Sequence, residues 1–589
     1  MFPTFLVSTS IAVPAIGLIK LIFSTGTISI YGNQKFIDNC KIIENAEEWV
    51  LISANKGLES ILVDINVNNL NVIDLLKSNY NKFRQGFILS IYKSTSKLEL
   101  YNDCFGIYPV FYFTRENKIL ISNDFLFLAE YSEKKFNKYA ILDYFLFNYA
   151  LKDRTLLTDI NQLPGGHVIT IINNRINVRH FFDSLKYIVT PCENLTSIND
   201  AKKALGRVLQ EDISDNLPVE LALTGGFDTK VVLSLLLEQG RKFNSFTFGQ
   251  KNSKDNICST QIAEKFHFSH KLLPVDQSHI NSIEKYAVDF IKLTGSNPAL
   301  PTLINYCLVK DMITPANILT GVMGGELIAG PIVISEVIIT RTAQILTTTG
   351  NKKKLKELIL NEIEQITFLE KEFFRDHLDD YIDSLSEYLP TKTPFINANL
   401  LGFLIYETYG RFFGTVYRVL MPKFNMINPF MELDFLNFVL NSKYSFLKNK
   451  SFTKNPFFHS RSRKIYAKLV KEAYPEVLDV QLDRGYKLRD IQDNYRLPIA
   501  LLYYIKNHYF ARSVREKRNY PDELESLNNY ANDKLIHSDV FKWDFINKSA
   551  LLSVIKHNEV SGNSPYIQRR LILLQGLNIL SMELNSNKN

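Results

Sequence analysis

Residues 221–240 read LALTGGFDTKVVLSLLLEQG, a short apolar run that meets Thr-Gly-Gly-Phe-Asp-Thr and continues into an apolar-rich segment. A glycine turn between a parallel strand and a helix exposes backbone N–H groups and a helix N-terminus, and both favour an oxyanion such as phosphate. Gly225 and Gly226 let the backbone approach such a group closely. Thr224 and Thr229 offer hydroxyls to its oxygens, Asp228 is a carboxylate of the kind that holds Mg²⁺, and Lys230 adds a positive charge nearby. The string is neither GxxxxGK[ST] nor GxGxxG. Alone, it serves a packing turn as well as a ligand loop, so its surroundings decide.

Those surroundings alternate. A helical pattern over 198–214 precedes the strand VELALT, the helix TKVVLSLLLEQG follows, then the strand FNSFTFGQ and the helical STQIAEKFHF. This order predicts a parallel sheet flanked by helices. Residues 1–185 differ in texture, with short β-type runs (TISIYG, WVLISA, GFILSIYK, KLELYN, PVFYFT, KILISN, HVITII) separated by turn residues. The pattern divides the chain into a β-rich domain over 1–190 and a parallel-sheet domain over 200–589, with a helical insert near 350–395 and a helical C-terminal region. The charged stretch 350–390 reads as a solvated helix pair.

Composition narrows the function classes. Among 589 residues, 46% are apolar and 22% charged, as in ordinary globular proteins. A net charge of +7 from 68 basic and 61 acidic residues is too dilute to indicate nucleic acid. Five scattered cysteines with no CxxC pair, and ten histidines with no HExxH spacing, argue against a disulfide framework and a zinc site and fit a reducing cytoplasm. Residues 5–23 are apolar, but no basic segment precedes them and Pro14 and Lys20 interrupt them. They read as core strands rather than a signal or membrane segment.

LTGGFDT resembles the SGGxDS pyrophosphate loop of the ATP pyrophosphatase superfamily, and the flanking segments resemble proteins of the asparagine synthetase family. YNDCFGIYPVFYF keeps Asp103, Gly106, Pro109 and Tyr112 of that family's RDxxGxxPLYY segment, and LPGGHVITI and RHFFD follow in order. After the loop, SFTFGQKNSKDNICSTQIAEKFHFSH carries Asp255 and His270. LTGVMGGELIAGP resembles the family's SGEGxDExxGG, NPFMELDFLNFVL its PFLD segment, and YAKLVKEAYPEVLDVQLDRGYKLRD its C-terminal stretch. The resemblance spans roughly residues 80–490. It implies an α/β protein: an Ntn-hydrolase-like β-rich domain followed by an ATP-pyrophosphatase domain of the adenine nucleotide α-hydrolase type.

It also implies chemistry. A carboxylate attacks the α-phosphate of ATP, giving an acyl-adenylate and pyrophosphate, and an amine displaces AMP. By resemblance, Leu223, Thr224, Gly225, Gly226, Asp228, Thr229, Phe248, Thr320 and Gly321 bind ATP, with Leu223 and Phe248 acting through backbone groups. Asp228 is the magnesium ligand, and Glu326 and Lys487 (with Arg484 and Arg489 beside it) are the catalytic candidates.

The departures are as informative. The family's glutaminase uses an N-terminal cysteine, where this sequence has Phe2, which cannot attack a carboxamide. The NGEIYN-type glutamine-binding stretch is absent, so no glutaminase activity is expected. In the second motif the family's Asp falls on Gly325 and its Glu is kept as Glu326, with Val322 or Met323 at an earlier acidic or tyrosyl position. Glu326 or Glu432 is the candidate replacement for the lost carboxylate.

Two readings follow. One is a cytoplasmic, AMP-forming ligase coupling a peptide or small-molecule carboxylate to a non-glutamine amine. β-Lactam synthetases and lasso-peptide cyclases are relatives of this kind, and a precursor-delivering or protease partner belongs with the second. Amidation of a sugar acid in polysaccharide biosynthesis is a further substrate class. The other reading is a degenerate nucleotide-binding or scaffold protein.

Overall fold

Short, mostly buried strands build the first part of the chain. In the computed structural model, residues 4–9, 20–25, 28–44, 46–63, 72–116, 118–191, 195–275, 277–295, 304, 308–330, 338–349, 351–388, 398–448, 456–506, 520–561 and 564–586 are described. Phe2 and residues 10–19 of the apolar stretch 5–23 lie outside them.

The strands are β1 (Phe5–Ser8), β2 (Lys20–Thr25), β3 (Ile28–Gly32), β4 (Lys41–Glu44), β5 (Glu48–Ala54) and β6 (Gly86–Tyr92). They continue as β7 (Lys97–Asn102), β8 (Phe111–Arg115), β9 (Lys118–Ser122), β10 (Ile160–Gln162), β11 (His167–Ile172) and β12 (Arg175–His180). They form two six-stranded antiparallel sheets, ordered β10-β8-β9-β1-β3-β2 and β12-β11-β7-β6-β5-β4. Phe87, Leu89 and Ile91 of β6 join Phe5 and Val7 of β1 in a core between the sheets, while Ile88 faces the opposite side and a second core that includes helix residues. The central strands of each sheet are thus buried on both faces, which is why they read as continuous apolar runs, while the edge strands β2, β4 and β12 are largely exposed.

The segment DCFG forms a tight turn after β7. Asp103 accepts from the backbone N–H groups of Gly86, Phe105, Ile107 and Tyr108 at 2.8–3.1 Å. Gly106 lies at φ 66° with its Cα against the backbone of Gly165, so a Cβ there would stand 2.7 Å from the Gly165 nitrogen. The two glycine turns expected from sequence therefore lock together.

The second part contains a five-stranded, all-parallel sheet of β13 (Val219–Ala222), β14 (Asn244–Phe248), β15 (His270–Leu273), β16 (Asn317–Leu319) and β17 (Asn425–Ile427), ordered β15-β14-β13-β16-β17. The chain runs from β13 outward through β14 and β15, then returns to the other side of β13. A crevice outside the strand ends at such a reversal is the usual ligand position in open α/β sheets. The helix Phe227–Glu238 after β13 buries Val231, Val232, Leu233, Leu235 and Leu236. It is apolar on nearly all sides because it lies inside the domain.

The stretch expected as a solvated helix pair is three helices, Lys352–Gln365, Lys371–Arg375 and Leu378–Ser384. Leu355, Ile359 and Ile363 are buried together with Glu362, so most but not all of the charges lie on the outer face. The described residues of 456–586 are mostly helical, as expected. No helix among the described residues is long and apolar enough to cross a membrane.

Candidate functional site

The C-terminal ends of β13 and β16 adjoin across the reversal, and each runs into a glycine turn and a helix. After β13, Gly226 caps the helix Phe227–Glu238, which places Asp228 in its first turn. After β16, Met323 at φ 68° turns the chain into the helix Gly324–Ile328, which carries Glu326. The turns pack so closely that a Cβ on Gly321 would stand 2.7 Å from the Asp228 Cβ, and one on Gly324 would stand 2.5 Å from its Oδ1. A Cβ on Gly325 would meet Asp228 Oδ2 at an ordinary 3.4 Å. Of these three glycines, only position 325 has room for a side chain beside Asp228.

Asp228 and Glu326 face a cavity of about 230 Å³ that is also lined by Phe227, Arg463, Tyr466 and Arg484. Burial pushes the Asp228 carboxyl up to about 6, against the Tyr466 hydroxyl and the Arg484 charge, which favour ionisation. Burial and the neighbouring Asp228 charge push Glu326 up to about 7. Asp228 Oδ1 and the Tyr409 hydroxyl are buried without hydrogen-bond partners among the described residues, while the Tyr466 hydroxyl stands near enough to the carboxyl to lower its proton affinity. A buried carboxylate oxygen with no donor is costly unless a ligand completes it.

Two arginines line the same cavity, and Arg484 also pairs with Asp483 at 3.4 Å. The guanidinium of Arg484 lies 4.8 Å from the centre of the Phe227 ring, and that of Arg463 lies 5.6 Å from it. Burial, then the like charge of Arg484, lowers the proton affinity of Arg463. Phe227, the variable residue of the TGGxDT string, is the surface on which both arginines are stacked.

The glycine loop itself is closed on its own groups. Gly225 N–H donates to Asp255 Oδ1 at 2.7 Å, and Gly226 N–H to the Thr224 hydroxyl at 3.2 Å. Thr224 N–H donates to the Thr229 hydroxyl at 3.4 Å, and that hydroxyl donates to the Thr224 carbonyl at 3.2 Å. The loop donors would be open to an oxyanion only if Asp255 were displaced and the hydroxyls turned.

Other sequence candidates lie elsewhere. Lys230 is fully buried and its ammonium donates to the Thr224 carbonyl, so it braces the loop instead of facing the cavity; burial lowers it to about 8. Glu432 does not replace the missing carboxylate, because Arg84 Nη1 holds it at 2.7 Å in a different cluster. Lys487 is exposed and outside the residues lining the cavity. Gln481 and Lys487 pair as an isolated bridge, and Gly485 at φ 87° folds the chain between them, which places Arg484 at the cavity in its stead. Leu223 N–H donates to Phe246 O at 2.9 Å, and its carbonyl accepts from Thr247 and Ser259, so neither group is free for adenosine. Phe248 ends β14, half-buried against Phe246. The Thr320 hydroxyl bonds Tyr417 Oη at 2.6 Å, and Gly321 abuts Asp228. His270 bonds Ser245 at 2.8 Å.

Sequence reasoning missed Arg463 and Tyr466, which project from the helix Pro456–Ala473 without any short motif, and the role of Phe227.

No group of three or more His, Cys, Asp or Glu among the described residues is arranged to hold a metal ion. Two carboxylates, one of them with an orphaned oxygen, instead fit a Mg²⁺ that shares its remaining positions with substrate phosphates and water.

Residues 75–182 match the family described as a glutamine amidotransferase domain. No curated protein matches the chain. Among solved structures, an allosteric regulatory enzyme of purine biosynthesis aligns at 8% identity over 46% of this chain and 74% of its own, with a TM-score of 0.17. Glutamine phosphoribosylpyrophosphate amidotransferase from B. subtilis, complexed with ADP and GMP, aligns at 9% identity over 50% and 67%, with a TM-score of 0.16. Scores this low carry no argument. The β-rich N-terminal domain is thus similar to an amidotransferase-type, Ntn-hydrolase-like domain, and a parallel sheet with a helical C-terminal part follows it.

Proposed function

We propose that the parallel-sheet domain is an ATP-dependent, AMP-forming ligase that adenylates a carboxylate and passes the acyl group to an amine other than that of glutamine. The observation that carries this reading is the unpartnered Asp228 oxygen beside Glu326 at the strand reversal, faced by Arg463 and Arg484. The positive pair suits the pyrophosphate that leaves, where charge builds up as the bond to the α-phosphate breaks. Asp228 and Glu326 would hold the magnesium, which supplies Lewis-acid stabilisation of the phosphate oxygens. Phe227 keeps both arginines in place, and the Thr224 and Thr229 hydroxyls turn outward to the phosphates. The acyl substrate is a peptide or small-molecule carboxylate, with macrolactam closure of a lasso-type peptide as the leading case.

Calorimetric titration of the protein with Mg-ATP tests this without knowledge of the second substrate. Binding in the micromolar-to-millimolar range, lost in Asp228→Ala, is expected, followed by pyrophosphate release with a panel of carboxylates. Absence of binding to the unaltered protein, or equal binding to the variant, overturns the assignment of Asp228. A second reading, a nucleotide-binding or scaffold protein without turnover, is favoured by the hold of Asp255 on the loop amide. ATP binding with no pyrophosphate release for any carboxylate selects it.

A further inference from the structure

Two buried arginines of this fold have close acidic partners. Arg84 pairs with Asp212 at 2.8 Å and Glu432 at 2.7 Å, and Arg154 with Asp143 at 2.7 Å. Arg418, 2% exposed on the helix Gly414–Leu420, has no ion pair among the described residues. Its Nε donates to the Ile107 carbonyl at 2.8 Å and its Nη2 to the Gly106 carbonyl at 2.6 Å, both neutral acceptors. Asp103, the nearby acid, is already taken up by four backbone N–H groups.

Arg418 lines a cavity of about 380 Å³ between the antiparallel-sheet domain and the parallel-sheet domain. Ser53, Tyr108 and Asn39 contribute from one side and Asn425 from the other, with exposed Lys35 among the lining residues. No Asp or Glu is among the residues that line it. A cavity of this size, with a buried cation and hydroxyl and amide groups converging on it, has the makings of a small-ligand site.

We propose that this interdomain cavity binds a small anion, a carboxylate or free phosphate, whose oxygens pair with the Arg418 guanidinium. A buried guanidinium without a counter-charge is unfavourable, and an anion supplies one together with the acceptors that planar donors favour. Burial, then the like charge of Arg411, pushes Arg418 down to about 9, and a bound anion opposes that shift. The site is separate from the Asp228 cavity, and neither proposal depends on the other.

Calorimetry in a phosphate-free buffer, with inorganic phosphate, L-glutamate and succinate as probes, tests the idea and separates the two anion sources. Saturable binding of phosphate or of a carboxylate is expected, weakened about 10-fold or more in Arg418→Gln. Lys35→Glu is exposed and should fold even where Arg418→Gln does not; it should weaken the same probe several-fold. Arg484→Ala, at the other cavity, should leave binding unchanged. Absence of saturable binding by all three probes overturns the proposal. So does binding that survives Lys35→Glu and Arg418→Gln but disappears in Arg484→Ala.

Discussion

Two aspartates, Asp103 and Asp228, sit in glycine turns of the two domains, and burial pushes both carboxyls up to about 6. Their hydrogen bonds separate them. Asp103 gathers four backbone N–H groups and holds together the turn after β7. Asp228 leaves Oδ1 without a donor and faces a cavity that two arginines share. A raised proton affinity alone does not mark a site; a carboxylate whose acceptors are incompletely used does.

The sharpest test of this contrast applies the same change to both positions. Asp228→Ala should leave the fold intact and lower Mg-ATP affinity or adenylation by about 10²–10³-fold, measured by calorimetry and pyrophosphate release. Asp103→Ala should strand the N–H groups and destabilise the protein by about 3–5 kcal/mol, read from urea unfolding. Similar unfolding midpoints for the two variants would remove the distinction.

A second comparison separates neighbours on one turn. Arg484→Ala should weaken Mg-ATP about 10-fold, whereas Lys487→Ala should change it less than about 2-fold. The reverse order would restore Lys487 as the cation of the site.

A third follows from proton linkage. Asp228 has an ordinary value of 3.8 and a folded value of about 6, so the folded chain binds more protons between those values and loses stability as the pH rises through them. Asp228→Asn should therefore stabilise the protein by about 1–2 kcal/mol at neutral pH. The gain should shrink as the pH falls through about 6 and vanish below about 4. A gain that is independent of pH would assign it to something other than charge burial.

The smallest expected effect lies at the neighbouring glycine. Gly325→Asp adds a carboxylate where a Cβ has ordinary room, and Mg²⁺ affinity should rise a few-fold in a metal titration. Gly324→Asp should lower it, because its Cβ would collide with Asp228 Oδ1.

Much of the fold was legible in the sequence because it is written in local periodicity. The apolar runs from TISIYG to HVITII became strands β3, β5, β6, β7, β8, β9 and β11, and the alternation around LTGGFDT became the parallel sheet. Asp228 and Glu326 were legible because each follows a strand end in a glycine turn. The rest depends on distance or on a single bend. Arg463 and Tyr466 reach the cavity from more than 200 residues further along the chain, where no local pattern announces them. Arg484 and Lys487 are exchanged by the turn at Gly485, whose backbone angle no motif specifies. Glu432 was misplaced because its partner, Arg84, belongs to the other domain.

That last pair bears on whether the chain can be divided. The composition changes near residue 195, and a cut there would look natural on paper. Yet Arg84 of the first half is held by Asp212 and Glu432 of the second, and Arg418 of the second donates into the DCFG turn of the first. Either half on its own would carry bare charges and unfilled carbonyls on a surface that is interior in the whole. The two domains are two in sequence and topology, but their junction shares buried ion pairs and hydrogen bonds drawn from both.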